Sequence, residues 1–259
     1  MKLGFIGMGN MAGALAQGFI ASGKLSAADV VAYDPYQDIL QQKAEKIGFT
    51  AAATAAEAVS AADAVLIACK PHQVEQAVAP VRELLRGKAL LSIALGWDHA
   101  RYRAILPDDV RVQFIMPNTP AMVGEGVFLF EETTTLTAAE LACVKELFGA
   151  VGYVHALPSR LMGIGGAISG CGPAFVDLML EAFADAAVLY GIPRELAQKM
   201  VSETVLGSAR LQLETGMHPG VLKDMVCSPG GSTIQGVAAL EANGYRAACI
   251  AAIKAIMQK

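Results

Sequence analysis

The chain has 259 residues, of which 54% are hydrophobic, 17% charged and 6% aromatic, with a formal net charge of -4. That length buries a full core in one or two domains, and the composition excludes a disordered chain. The slight acidity and the lack of any Lys/Arg block exclude the electrostatic footprint of a nucleic-acid binder, so no nucleic-acid partner is expected.

Short apolar runs alternate with amphipathic stretches from the start. Residues 2–6 predict a strand, 10–22 a helix ended by Gly23, 30–33 a strand and 36–47 a helix ended by Gly48. Together they make a βαβ unit. Strands are expected next at 64–68, 89–93 and 112–116, with helices near 73–85 and 98–105 between them. Final strands at 127–130 and 153–156 flank a helix whose start carries a capping box, Thr137 with Glu140 three residues on. Repeated βαβ units imply a mostly parallel sheet with helices on both faces.

After Pro158 the apolar spacing turns helical throughout, and no strand is expected. Helices are predicted at 173–190, at 194–215 after Gly191 and Pro193, at 233–242 and at 245–258. The fold class is therefore α/β: a Rossmann-like, mostly parallel sheet over residues 1–157, followed by an all-helical domain over 158–259. Ala182-Phe183-Ala184 and Ala186-Ala187-Val188 make one helix apolar on more than one side. About 100 residues cannot bury such helices on all sides, so a subunit interface is the natural place for the excess.

Mean hydropathy is +0.44, yet the uncharged run most suggestive of a membrane segment, 161–176 between Arg160 and Asp177, is too short and glycine-rich to span a bilayer, which takes about 20 apolar residues. The apolar start is cut by Gly4 and Gly7, unlike a secretory signal, so a cytoplasmic protein is expected, with no membrane partner. Cys69, Cys143, Cys171, Cys227 and Cys249 are scattered, without a Cys-x-x-Cys, and His72, His99, His155 and His218 are not closely paired. Neither a disulfide framework nor a metal site is expected.

Gly7-x-Gly9-x-x-Ala12 directly follows the first strand and opens the first helix. Gly7 permits a tight turn, Gly9 lets a pyrophosphate approach the backbone, and small Ala12 lets helix and strand pack closely. The helix N-terminus then offers free N–H groups to phosphates. Asp34, at the end of the second strand, accepts hydrogen bonds from the adenosine ribose or instead caps the helix that follows Pro35. Lys70 ends a core strand on the side where open α/β sheets bind ligands.

Five segments narrow this general reading. They are 5–12 (FIGMGNMA), 68–71 (ACKP), 116–120 (MPNTP), 169–175 (SGCGPAF) and 223–233 (KDMVCSPGGST), the last continuing through Ile234, Gly236, Leu240 and Glu241. Carrying them, the chain resembles pyrroline-5-carboxylate reductase from end to end. The resemblance implies reduction of 1-pyrroline-5-carboxylate to L-proline with NADPH or NADH, and a homo-oligomer built from dimers through the helical half. It implies cofactor contacts from Gly7, Met8, Gly9, Asn10, Met11, Ala12, Asp34, Ala68, Cys69, Lys70, Pro71, Ile93, Ala94 and Asn118. The substrate carboxylate falls to Gly230, Gly231, Ser232 and Thr233, whose turn into a helix presents successive N–H groups. Either Thr233 or Ser228 supplies a hydroxyl to the imine nitrogen, the resemblance favouring Thr233, and Lys70 is a third candidate catalytic group. Against these stand plainer roles, helix capping for the two hydroxyls and an Asx turn for Asn118.

Departures from the family pattern are Cys227-Ser228 before the glycines, Ala55 where an asparagine is common, and the absence of an acid before His218-Pro219. A 3-hydroxyacid dehydrogenase, the nearest rival, needs a lysine base early in the helical half. Between Lys145 and Lys199 this chain has none. A non-catalytic nucleotide sensor would have no use for the Pro229-Gly230-Gly231-Ser232-Thr233 turn.

Overall fold

The computed structural model describes residues 1–258, and its internal contacts divide it into two compact units, Met1–Cys171 and Gly172–Lys259. The first unit opens with β1 (Leu3–Ile6), α1 (Asn10–Ala21), β2 (Val30–Tyr33), α2 (Gln37–Ile47), β3 (Thr50–Ala51), α3 (Ala55–Ser60) and β4 (Ala64–Ile67). It continues with α4 (Val74–Val78), β5 (Ala89–Ser92), α5 (His99–Ile105), β6 (Arg111–Met116), β7 (Gly126–Glu131), α6 (Ala138–Gly149), β8 (Gly152–Leu157) and α7 (Ser159–Ser169).

Among the described residues the strands form one eight-stranded sheet in the order β3-β2-β1-β4-β5-β6-β7-β8. All pairs are parallel except β6–β7, where Ile115 faces Phe130 and Met116 faces Leu129. Every residue of β1, β4 and β5 is buried, as strands covered on both faces require. Alternation sends Leu66 to one core with Leu15, Phe19 and Phe148, and Val65 and Ile67 to another with Tyr102 and Val112. In the first of these, Phe19, Phe128 and Phe130 each meet Phe148 edge-on.

Three features of the first unit depart from the expected elements. The helix expected over 73–85 is broken into a short 3-10 turn (Pro71–Gln73), α4 and a second 3-10 stretch (Ala79–Leu85), because Pro80 has no N–H to continue the α ladder. The short pair β3 and α3 was not foreseen, since elements of two and six residues are too short to show a period. Nor was α7, whose glycines argue against a helix on propensity.

Packing explains α7. A Cβ on Gly165 would stand 2.7 Å from the side chains of Leu129 and Leu157, and one on Gly166 would stand 2.9 Å from Met116. The glycines let α7 lie directly on β6, β7 and β8, and Met162 joins Phe114, Met116 and Leu129 in a third small core. Through these contacts α7 packs on the sheet, within the compact unit Met1–Cys171.

The second unit holds α8 (Gly172–Leu189), α9 (Arg194–Thr215), α10 (Pro219–Met225), α11 (Ser232–Ala242) and α12 (Tyr245–Met257). No strand occurs in it among the described residues. Helices α8 and α9 pack together, and Gly216 closes α9 in the left-handed conformation. The unforeseen α10 starts at His218, whose ring accepts a hydrogen bond from the Gly220 amide at 3.0 Å.

Candidate active site

β1 delivers the chain into Gly7 at φ +93°, where an added Cβ would lie 2.7 Å from the Cys69 nitrogen. Only glycine lets the loops after β1 and β4 touch here, at the point where the strand order reverses. Met8 and Ala12 are buried beneath the loop, Met11 is half-buried, and Gly9 and Asn10 are exposed. Gly9 is the N-cap of α1, no side chain caps this helix end, and nothing lies within 4 Å of where a Gly9 Cβ would be. An open, positively polarised helix end over a glycine fits the pyrophosphate of a dinucleotide.

Asp34 stands half-buried beside this loop. Its carboxylate accepts hydrogen bonds from the Met8 amide at 2.8 Å and the Tyr36 amide at 3.0 Å. It does not cap α2, whose N-cap is Tyr36 without a side-chain bond. Two lone-pair sites of the carboxylate stay open for ribose hydroxyls. Below, Lys43 of α2 donates to the Met8 carbonyl at 2.6 Å. Sequence reasoning missed Lys43, because only the pairing of β1 with β2 brings α2 against the loop.

The neighbouring strand ends complete this side. Ala68 and Ile93 extend the parallel ladder, their amides donating to Ile6 at 2.8 Å and Ile67 at 3.0 Å. Burial pushes the Cys69 thiol up, and the Asp34 charge adds to the shift. Lys70 is exposed, with its amide on Gln73 Oε1. The Pro71 carbonyl accepts from Trp97 Nε1 at 2.8 Å, a tie with no sequence signal beyond Trp97 being the lone tryptophan. Ala94 donates to the buried Ser92 hydroxyl, which also receives the Tyr102 hydroxyl at 2.9 Å. Burial raises the Tyr102 phenol far above its ordinary range, so it stays a neutral donor.

Asn118 is buried, and its amide serves the scaffold. Oδ1 accepts from the Val127 amide at 2.7 Å and Nδ2 donates to the Ser169 carbonyl at 3.0 Å. The Asx-turn alternative fails here, because Pro120 at the second position has no N–H to give.

In the second unit, Ser228-Pro229-Gly230-Gly231 forms a turn closed by the Gly231 amide on the Ser228 carbonyl at 3.0 Å, with Gly230 at φ +71°. Positive φ at the third position is the type II requirement, met by glycine. Gly231 is the N-cap of α11, again without a side-chain cap. Ser228, Ser232 and Thr233 are exposed. Among the described residues the Ser228 and Thr233 hydroxyls make no hydrogen bond, so neither is engaged as a helix cap. The arrangement offers free N–H groups and a free hydroxyl to a small anion.

The predicted residues thus fall into two sets, one around the strand ends of the first unit and one on the turn into α11. His72 is exposed beside Pro71. Among the described residues no group of three or more His, Cys, Asp or Glu could hold a metal ion, and no helix is long and apolar enough to cross a membrane.

Comparison with known proteins gives matches over the whole chain. Residues 159–259 match the model described as pyrroline-5-carboxylate reductase dimerisation, and residues 2–96 match NADP oxidoreductase coenzyme F420-dependent. A pyrroline-5-carboxylate reductase of Escherichia coli is 39% identical over 259 residues, covering 100% of this chain and 96% of its own. One from Methanosarcina acetivorans is 39% identical over 253 residues, covering 97% and 94%. A Plasmodium falciparum pyrroline carboxylate reductase, solved with NADP bound, superposes with a TM-score of 0.90 at 29% identity, covering 100% of this chain and 96% of that one.

Proposed function

This chain belongs to the pyrroline-5-carboxylate reductase family, and on that premise we propose how its residues divide the work of reducing 1-pyrroline-5-carboxylate to L-proline. It is an NAD(P)H-dependent oxidoreductase acting on a C=N bond. When bound, the dinucleotide supplies the hydride that the imine carbon receives.

The first turn of α1, from Gly9 through Asn10 and Met11, holds the pyrophosphate with backbone N–H groups. Gly7, Met8 and Ala12 fix that loop, and Asp34 takes the adenosine ribose. Ala68, Cys69, Lys70, Pro71, Ile93 and Ala94 line the nicotinamide side, while the Asn118 side chain stiffens the loop that follows β6. Gly230, Gly231, Ser232 and Thr233 hold the substrate carboxylate at the N-terminus of α11, where the helix end favours a negative charge. Thr233 Oγ1 donates to the imine nitrogen and relays a solvent proton to it as the carbon is reduced. Ser228 is the alternative hydroxyl, and Lys70 adds a cation that favours the anionic ligands. Positioning supplies most of the catalysis, since hydride transfer needs donor and acceptor aligned at near contact.

The observation that carries this reading is the unbonded Thr233 hydroxyl on an uncapped helix end. Thr233→Ala is expected to lower turnover by about tenfold to a thousandfold, the scale for one positioned donor or proton-transfer group, with cofactor affinity unchanged. Ser228→Ala is expected to do less. Unchanged turnover in Thr233→Ala with a large loss in Ser228→Ala transfers the role to Ser228.

The assembly follows from the second unit. We propose a cytoplasmic homo-oligomer built from dimers, with neither membrane nor nucleic acid as a partner, supported by the match of residues 159–259 to a dimerisation family.

A further inference from the structure

We propose that this chain selects NADH over NADPH and that Asp34 makes the choice. The inference rests on the dinucleotide reading above and deepens it at the adenosine end.

The two cofactors differ by one phosphate on the adenosine 2'-oxygen. NADH presents two ribose hydroxyls, both able to donate to a carboxylate, whereas NADPH replaces one with an anion that cannot donate and is repelled. Asp34 cannot swing away from that position. The Met8 amide at 2.8 Å and the Tyr36 amide at 3.0 Å hold both of its oxygens, leaving one fixed negative charge with spare lone pairs.

From β2 through α2, no Lys or Arg stands beside Asp34 in sequence to compensate a 2'-phosphate. Across residues 25–69 the only Lys or Arg side chains are Lys43 and Lys46. Lys43 is committed to the Met8 carbonyl at 2.6 Å, and Lys46 lies in the last turn of α2, at the end away from Asp34. The N-terminus of α2 could attract a phosphate, but Asp38 occupies its first turn and offsets that field. The Plasmodium relative was solved with NADP bound, so the inference separates this chain from a protein of the same fold.

The test measures dissociation constants for NADH and NADPH by nicotinamide fluorescence in the absence of substrate, with 5'-ADP and 2',5'-ADP as competitors. The wild type is expected to bind NADH, and 5'-ADP over 2',5'-ADP, at least about tenfold tighter, as a close pair of like charges would impose. Asp34→Ser is expected to shrink the ratio mainly by gaining NADPH. Tyr36 is 69% exposed, so Tyr36→Arg adds a cation while keeping the Asp34 bonds, and it should raise NADPH affinity even if Asp34→Ser folds poorly. Equal or tighter binding of NADPH by the wild type overturns the proposal, as does a ratio unmoved by both variants. Oxidation of each cofactor by pyrroline-5-carboxylate is recorded alongside. Binding selectivity without oxidation would defeat the functional reading alone, and oxidation of both cofactors with NADPH bound as tightly as NADH would defeat this inference alone.

Discussion

Gly7 and Gly9 lie two residues apart and do different jobs. Gly7 serves the fold: its positive φ and its 2.7 Å approach to Cys69 leave no room for a Cβ. Gly9 has open space around it and an extended backbone at φ -68°, so a methyl group there meets no protein atom. Gly7→Ala is expected to lower the melting temperature and dinucleotide affinity together. Gly9→Ala should keep the wild-type melting temperature while weakening the dinucleotide by about tenfold, because the added carbon displaces a hydrogen-bonded pyrophosphate. Thermal melts beside cofactor titrations check both, and a Gly9→Ala protein that binds normally would remove the pyrophosphate from this loop.

At the scale of single elements, α6 shows how one acid can secure a helix start and a strand together. Glu140 closes the capping box with Thr137, its carboxylate accepting from the Thr137 amide at 2.9 Å while its own amide donates to the Thr137 hydroxyl at 3.2 Å. It also receives Arg111 of β6 at 2.6 Å. The Arg111 guanidinium, with help from the Thr137 bonds, pulls the Glu140 carboxyl from its ordinary 4.5 down to about 2. A depressed folded-state value means stability that is present above the unfolded value and lost as pH falls from about 4.5 toward 2. The pair is partly exposed, at 30% and 28%, so solvent screening reduces its worth to about 1 kcal/mol. Glu140→Gln should lower the melting temperature by about 2–4 °C at pH 7, and that difference should vanish near pH 2. Calorimetry across that range decides it, and a pH-independent difference would assign the effect to packing.

The helical unit has little core of its own. Among its described residues the buried apolar side chains are Ala184 and Ala197, while Leu189, Tyr190 and Leu213 are 79%, 87% and 79% exposed. Apolar surface on that scale marks an association site. Sedimentation of dilute, active protein is expected to show a dimer or a multiple of dimers, with an interface above about 2,000 Å² in the obligate class. Leu178→Glu with Leu213→Glu should shift the protein toward monomer and lower its melting temperature. A fully active wild-type monomer would end the proposal of an obligate assembly. Activity should also survive chelation by EDTA, since a hydride and a relayed proton suffice; loss on chelation with recovery on adding a divalent ion would overturn that reading.

Local signals were readable along the chain because they act over a few residues. The βαβ alternation, the glycine loop at 7–12, the capping box of Thr137 and Glu140, the limits of α9 and the Pro229-Gly230 turn all follow from periodicity, backbone freedom or a missing N–H. Tertiary structure decided what depends on partners far away in sequence. The antiparallel β6–β7 pair sets the order of the last strands, and close packing on Met116, Leu129 and Leu157 makes a helix of the glycine-rich 159–169 against its propensity. Asn118 becomes a scaffold residue only because Val127 and Ser169 are brought to it, and Lys43 joins the cofactor loop only because α2 lies beneath Met8. Sequence spacing carries no information about such contacts, since the chain closes them by packing its strands and helices rather than by local geometry.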